Sequence, residues 1–183
     1  MTERSRPRLF AFPREVELGW LAESDLQSDA RALLENMVDA FANIAKTRRI
    51  TAATLSAIEA AARHENPIVG AAAATRLTVL SHYFPDAIPV IANILVDATI
   101  PAQLNLVSVL PNAPGEVATA QLASALEHAD WRVRKAAAMA STAVPLPGMK
   151  HVLHRHREDR DARVRVWVEL AIESQDKFNA RLH

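Results

Sequence analysis

The stretch HADWRVRKAA at residues 128–137 recurs further along the chain as DRDARVRVWV at residues 159–168. The two stretches share Asp, Arg, Val and Arg at matching places, so that Val133 corresponds to Val164, 31 residues later. Self-similarity at a fixed step of this length is the sequence signature of helical repeat proteins. This repetition therefore predicts the fold more specifically than any short motif in the chain.

The same frame extends toward the N-terminus. It aligns four apolar positions at steps of 31, 33 and 31 residues, which are Val69, Ile100, Val133 and Val164. Each lies three residues after a side chain suited to capping a helix, and these residues are Asn66, Asp97, Asp130 and Asp161. Such side chains accept hydrogen bonds from the free N–H groups of a first helical turn. The pattern predicts a helix after each of the four.

Each unit is predicted to contain two helices. The helix after Asp161 carries an apolar stripe with helical spacing, formed by Val164, Trp167, Val168, Ala171 and Ile172. Partner helices are predicted near residues 86–96, 115–127 and 147–157, each introduced by proline. No single unit can bury its own stripe, so the units must stack on one another. We therefore expect an all-α fold built as a short α-solenoid.

The N-terminal part of the chain departs from this regular pattern. Residues 25–63 contain two apolar stripes separated near Arg48, and we interpret them as a degenerate N-terminal capping repeat, since terminal repeats are usually atypical. Residues 1–13 contain two prolines and form a predicted extended arm, which we expect to fold back onto the end of the stack. Residues 14–183 then form a single helical repeat domain.

The composition excludes several classes of protein. Only four of the 183 residues are glycine and none is cysteine, which argues against glycine-built phosphate loops, disulfides, thiol catalysis and zinc–thiolate sites. No apolar stretch reaches the roughly 18–20 residues that cross a bilayer, so we expect a cytoplasmic protein with no membrane partner. Basic and acidic residues are equal at 21 each, but the basic ones concentrate in residues 1–14 and 128–165. That asymmetry bears on the choice of partner.

The strings DWRVRKAAA at 130–138 and DRDARVR at 159–165 resemble the second helix of HEAT repeats, particularly the short phycobilisome-lyase-like subtype. The resemblance covers residues 115–176 well and residues 64–110 less closely. It implies a right-handed solenoid of HEAT-like helical hairpins. HEAT-like proteins that act as DNA glycosylases or phycobilin lyases depend on site residues that have no match in this sequence.

The resemblance also implies a ladder of ion pairs between neighbouring repeats. In this subtype an acid lies five residues before the repeated valine, and an arginine follows the valine directly. Asp159 and Arg165 match these two places, whereas His128 replaces the acid one unit earlier. Gly70 and Pro101 replace the arginine in the two preceding units. The residues expected in the ladder are Arg134, Asp159, Asp161 and Arg165.

Basic side chains cluster in the first turns of the last two predicted second helices. This location is electrostatically unfavourable, because the N-terminal end of a helix dipole is already positive. Either acids such as Asp130 and the ladder residues compensate the charge, or an anionic ligand such as a phosphate backbone or an acidic peptide does so. The candidate partner-binding residues are Trp131, Arg132, Lys135 and Arg163.

The sequence holds no strong candidate for a metal or catalytic site. His151 and His154 share a helical face, but His156 points about 140° away from His151 on the helical wheel, so no metal site is expected. Glu15 and Glu17 are interpreted as solvated charges or helix caps. No recognisable motif frames a nucleophile with a base, so we expect neither an enzyme nor a cofactor.

The sequence therefore favours a non-catalytic module that presents a curved helical surface to another protein. The alternative is a nucleic-acid-binding HEAT-like protein that uses the C-terminal basic patch. Because this patch is small and the formal net charge of the chain is zero, the protein-binding hypothesis is preferred.

Overall fold

The computed structural model describes residues 7–22 and 26–180, and this part of the chain is helical without any strand. The predicted all-α class is confirmed. The helices are α1 (Arg14–Ala22), α2 (Ser28–Thr47), α3 (Ala52–Ala62), α4 (Pro67–Leu80), α5 (Ala87–Asp97), α6 (Ile100–Val109), α7 (Gly115–Leu126), α8 (Trp131–Ala140), α9 (Met149–Arg155) and α10 (Ala162–Ala180). A short 3-10 turn, Leu110–Asn112, follows α6 directly.

The helices fall into two rows. The second-helix row consists of α2, α4, α6, α8 and α10, in which each helix contacts the next. The first-helix row consists of α3, α5, α7 and α9, which also contact one another in order. Each helix of the first-helix row packs against the helix that follows it in the chain. A single cluster of buried apolar side chains runs through both rows, from Leu9 to Ile172.

Three of the four predicted N-caps are present. Asn66, Asp130 and Asp161 each accept a hydrogen bond from the backbone N–H two residues later, over 2.8–2.9 Å. These bonds satisfy N–H groups that have no carbonyl partner within the helix. The capping side chains therefore define where α4, α8 and α10 begin.

The prediction that Asp97 is the fourth N-cap is wrong. Helix α6 begins at Ile100 directly after Thr99, and Asp97 is the last residue of α5. The third residue of α6 is therefore Ala102, which is fully buried like Val133, whereas Ile100 is only partly buried. The irregular step of 33 residues consequently separates α4 from α6, one unit earlier than predicted.

The corrected frame explains three residues around the start of α6. Asp97 occupies the acid place, five residues before Ala102, and pairs with Arg63 just after α3 over 2.7 Å. Pro101 lies in the first turn of α6, where its missing N–H costs the helix little. Gln103, rather than Pro101, occupies the place that arginine fills in the later units.

The arm lies against the helical domain. Leu9 is buried, and its carbonyl accepts a hydrogen bond from Nη1 of Arg48 over 2.9 Å. The Tyr83 hydroxyl donates a hydrogen bond to the backbone carbonyl of Pro7 in the arm. Phe10 and Phe12 remain exposed and pack edge to face, with ring centres 5.2 Å apart. Residues 1–6 of the predicted arm lie outside the described residues.

Helix α1 was not among the predicted elements, and it changes the interpretation of Glu17. This side chain is buried, and its carboxylate accepts a hydrogen bond from Nη2 of Arg76 on α4 over 2.9 Å. The Arg76 guanidinium also lies 5.3 Å from the centre of the Phe41 ring. The interpretation of Glu17 as a solvated charge is therefore wrong, because its partner lies 59 residues away in the chain.

Candidate partner-binding face

The second residue of α8 and the second residue of α10 are exposed arginines that bind their helix caps with the same geometry. Arg132 donates to Asp130 through Nε at 3.0 Å and Nη2 at 2.7 Å, and Arg163 donates to Asp161 at the same two distances. The arginine hydrogen bond is the main cause that lowers the pKa of each aspartate from 3.8 to about 2. Each aspartate is thus both the N-cap and the counter-ion of its helix, which compensates the basic charge in the first turn.

Arg163 also connects α10 to α8. Its guanidinium carbon lies 3.3 Å from the centre of the Trp131 ring, a cation–π contact between neighbouring units. Trp131 is partly buried and packs against the core with the rest of its side chain. The contact orients both side chains at the boundary between the two helices.

Six exposed or partly buried residues of α8 and α10 form one surface, which we call the α8–α10 face. They are the second, fifth and ninth residues of each helix, a spacing that keeps them on one side. Its members are Arg132, Lys135 and Met139 on α8 and Arg163, Val166 and Leu170 on α10. The exposed fraction is 39% for Met139, 59% for Val166 and 42% for Leu170. Since α8 contacts α10, the two sets lie side by side.

Arg134 and Asp159 form a buried ion pair between the last two units. Nε and Nη2 of Arg134 donate to the two Asp159 carboxylate oxygens over 2.7 and 3.0 Å. Nη1 of Arg134 donates to the carbonyls of His128 and Ala129 over 2.9 and 2.8 Å. The arginine hydrogen bond lowers the pKa of Asp159, even though burial acts in the opposite direction. The pair therefore stays ionised in spite of its burial.

Asp161 and Arg165 make contacts other than the inter-repeat ion pairs expected of them. The Asp161 carboxylate binds Arg163 in its own turn, because an N-cap side chain points toward the start of its own helix. Nη1 of Arg165 donates to the carbonyl of Asp159 over 2.7 Å. No described helix follows α10 to supply an acid for Arg165. Within the described residues, neither side chain joins an ion pair between units.

Gln175 is a structural residue that the sequence interpretation missed. It is buried on α10, and its Oε1 accepts a hydrogen bond from the N–H of Leu146 over 3.0 Å. Its Nε2 donates to the carbonyls of Ser141 and Val144 over 2.7 and 2.8 Å. One side chain therefore holds the loop between α8 and α9 against α10. The position of Gln175 after the buried stripe of α10 is the only sequence signal for this role.

The three histidines of α9 and its C-terminus do not converge. His151 and His154 are exposed, whereas His156 is buried and lies 3.3 Å from the Glu127 carboxylate through its Nε2. Across the part of the chain that the structure covers, no group of three or more histidine, aspartate or glutamate side chains could hold a metal ion. No helix in the same part has the length and apolar character needed to cross a membrane.

No protein-family model matches this chain, and no curated protein matches its sequence significantly.

Proposed function

We propose that this chain is a short right-handed α-solenoid of HEAT-like hairpins that binds another protein through the α8–α10 face. Support for the solenoid comes from the two rows of helices and from the matching N-caps at Asn66, Asp130 and Asp161. Stacked units of this kind form extended surfaces from equivalent residues. The cysteine-free sequence suits the reducing cytoplasm, where we place this module.

The exposure of Met139, Val166 and Leu170 carries the proposal. These side chains occupy equivalent or neighbouring positions on adjacent helices, so their apolar surface is contiguous. Contiguous exposed apolar surface beside polar residues marks interaction sites on soluble domains. Trp131 and Arg163 at one end belong to the residue types that contribute most to binding at protein interfaces.

Charge pairing favours a protein partner over nucleic acid. Arg132 and Arg163 each bind a carboxylate within their own turn, and Arg134 is buried against Asp159. A phosphate backbone is bound by uncompensated cations that release its counterions. On the α8–α10 face only Lys135 meets that description among the described residues, because no carboxylate lies within ion-pair distance of it. The observed contacts thus favour a protein partner.

The test is affinity capture with full-length protein from a cell extract. A variant with Val166→Asn and Leu170→Asn removes apolar surface without adding charge, and both residues are exposed enough to leave the fold unchanged. Val96→Asn is the matched control, since Val96 is 77% exposed on α5 in the other row. We expect the control to capture the same proteins as the wild type and the double variant to lose them. Equal capture by all three proteins would contradict the proposal.

A further inference from the structure

The second, fifth and ninth positions of α4, α6, α8 and α10 contain no acid, whereas α2, at the N-terminal end of the same row, has the exposed Asp29 at its second position. The face continues onto α4 and α6 through the second, fifth and ninth residues of those helices. These residues are Ile68, Ala71, Thr75, Pro101, Leu104 and Ser108. Together with the six members of the α8–α10 face they include apolar, hydroxyl and basic side chains and no acid. The surface therefore complements a partner that is apolar and acidic.

Lys135 is the charged centre of this surface. It lies between Leu104 on α6 and Val166 on α10, the residues at the equivalent position of the two neighbouring helices. Lys135 is partly buried and, among the described residues, has no carboxylate within ion-pair distance. A lysine stem covers apolar surface while its ammonium group stays available. An acid on the partner would therefore find an uncompensated cation surrounded by apolar contacts.

Every described helix of this surface has its backbone groups engaged in helical hydrogen bonds, and the described residues contain no strand. A partner segment therefore has no sheet edge to which it could add as a strand. Side chains must then supply the contacts, as they do when an amphipathic helix lays its apolar face against a helical surface. The apolar side chains of such a helix recur every three or four residues, which suits contact with Met139, Val166 and Leu170.

We propose that the α8–α10 face binds an amphipathic helix of a protein partner, with an acidic residue of that helix paired to Lys135. This inference rests on the proposed function and specifies the chemistry of the partner. A second copy of this chain and a nucleic acid are different occupants, which the experiment separates.

The first experiment identifies what contacts the surface. A photo-crosslinking amino acid replaces Met139 in the full chain, and the crosslinked species are sequenced by mass spectrometry. We expect peptides of another protein in which an aspartate or glutamate lies within one helical turn of at least two large apolar residues. Crosslinks to a basic or uncharged segment, to nucleic acid or to a second copy of this chain would overturn the inference.

The second experiment tests Lys135 with a synthetic peptide of the crosslinked segment, by fluorescence anisotropy. We expect Lys135→Glu to weaken binding by about tenfold or more and a compensating acid-to-lysine change in the peptide to restore it. Arg155→Glu on α9 is the matched charge-reversal control and should leave binding unchanged. Equal effects of the two reversals, or no restoration by the altered peptide, would overturn the pairing with Lys135.

The two proposals fail in different ways. Capture that is insensitive to Val166→Asn with Leu170→Asn, together with no crosslinked protein at Met139, would end the proposed function and the inference with it. Capture that depends on the apolar residues, combined with crosslinks to a segment lacking acids, would leave the proposed function intact. That second result would remove only the acidic amphipathic partner.

Discussion

The fourth residue of the second helix differs between the two ends of the molecule. In the C-terminal units this residue is Arg134 or Arg165, whose guanidinium donates to backbone carbonyls just before its helix. In the α5–α6 unit it is Gln103, whose amide donates to the carbonyl of Leu95 over 2.9 Å. In the α3–α4 unit it is Gly70, which has no side chain to donate. The same helix position is therefore charged at one end of the molecule and neutral at the other.

The neutral end replaces charge with close packing. A Cβ on Gly70 would lie 2.4 Å from Nδ2 of Asn105 on α6 and 2.6 Å from the carbonyl oxygen of His64. Glycine thus lets α6 approach α4 more closely than any larger residue would allow. Packing of one helix on the next therefore does not itself require the arginine. Arg134 is needed to neutralise the buried carboxylate of Asp159.

The largest expected effect comes from breaking the charged end. Arg134→Ala leaves the buried Asp159 carboxylate without its counter-ion and with only the hydrogen bond from the Asp161 N–H among its described contacts. We expect a loss of about 3–5 kcal/mol in the free energy of unfolding. Arg165→Ala, at the same place one unit later, removes one hydrogen bond to a carbonyl and should cost only about 1 kcal/mol. Urea unfolding followed by circular dichroism measures both. Similar losses for the two variants would show that the ion pair is not what distinguishes them.

The neutral end should respond to added volume instead. We expect Gly70→Ala to cost about 1–3 kcal/mol, because the Asn105 side chain and the His64 carbonyl must both move to admit the methyl group. Gly19→Ala is the matched control, since nothing lies within 4 Å of a Cβ there and alanine favours the α1 helix. Thermal unfolding should show a lower melting temperature for Gly70→Ala alone. If both variants melt like the wild type, α4 and α6 are less closely packed than the structure shows.

A smaller effect should appear on acidification. The Arg134 hydrogen bond holds the pKa of Asp159 below its usual 3.8, so the folded-state pKa lies below the unfolded value. The stabilisation is then complete above about pH 4 and is lost as the pH falls through the folded pKa. We expect Asp159→Asn to reduce the slope of unfolding free energy against pH below about 4. Asp130 and Asp161, with pKa values of about 2, contribute in the same direction and keep the slope above zero.

The smallest expected effect concerns nucleic acid. Because Arg132 and Arg163 are paired with their caps, we expect no submicromolar binding of duplex or single-stranded nucleic acid at about 150 mM salt, where the Debye length is near 8 Å. Fluorescence anisotropy over a range of salt concentrations checks this. A steeply salt-dependent interaction that the double change Arg132→Glu with Arg163→Glu abolishes would favour the alternative function.

Local patterns predicted most of the helices. The caps at Asn66, Asp130 and Asp161 act on N–H groups two residues away, so a short stretch of sequence contains all the information. The sequence alignment of the helices was misplaced at Asp97, because an aspartate three residues before an isoleucine satisfies the same pattern as a true cap. In the structure Asp97 pairs with Arg63, and no sequence pattern indicates that contact.

The helical class and the basic residues at the starts of α8 and α10 could be predicted from local sequence patterns alone. Which of those charges are compensated, and which residues hold distant segments together, depends on contacts between helices. Glu17 and Gln175 contact groups 59 and 29–34 residues away, so their burial depends on how the helices pack. The same holds for the α8–α10 face, because exposure of Val166 and Leu170 depends on what the neighbouring helices leave uncovered. Helix formation is governed by contacts within one or two turns, whereas burial is set by residues far apart in the chain.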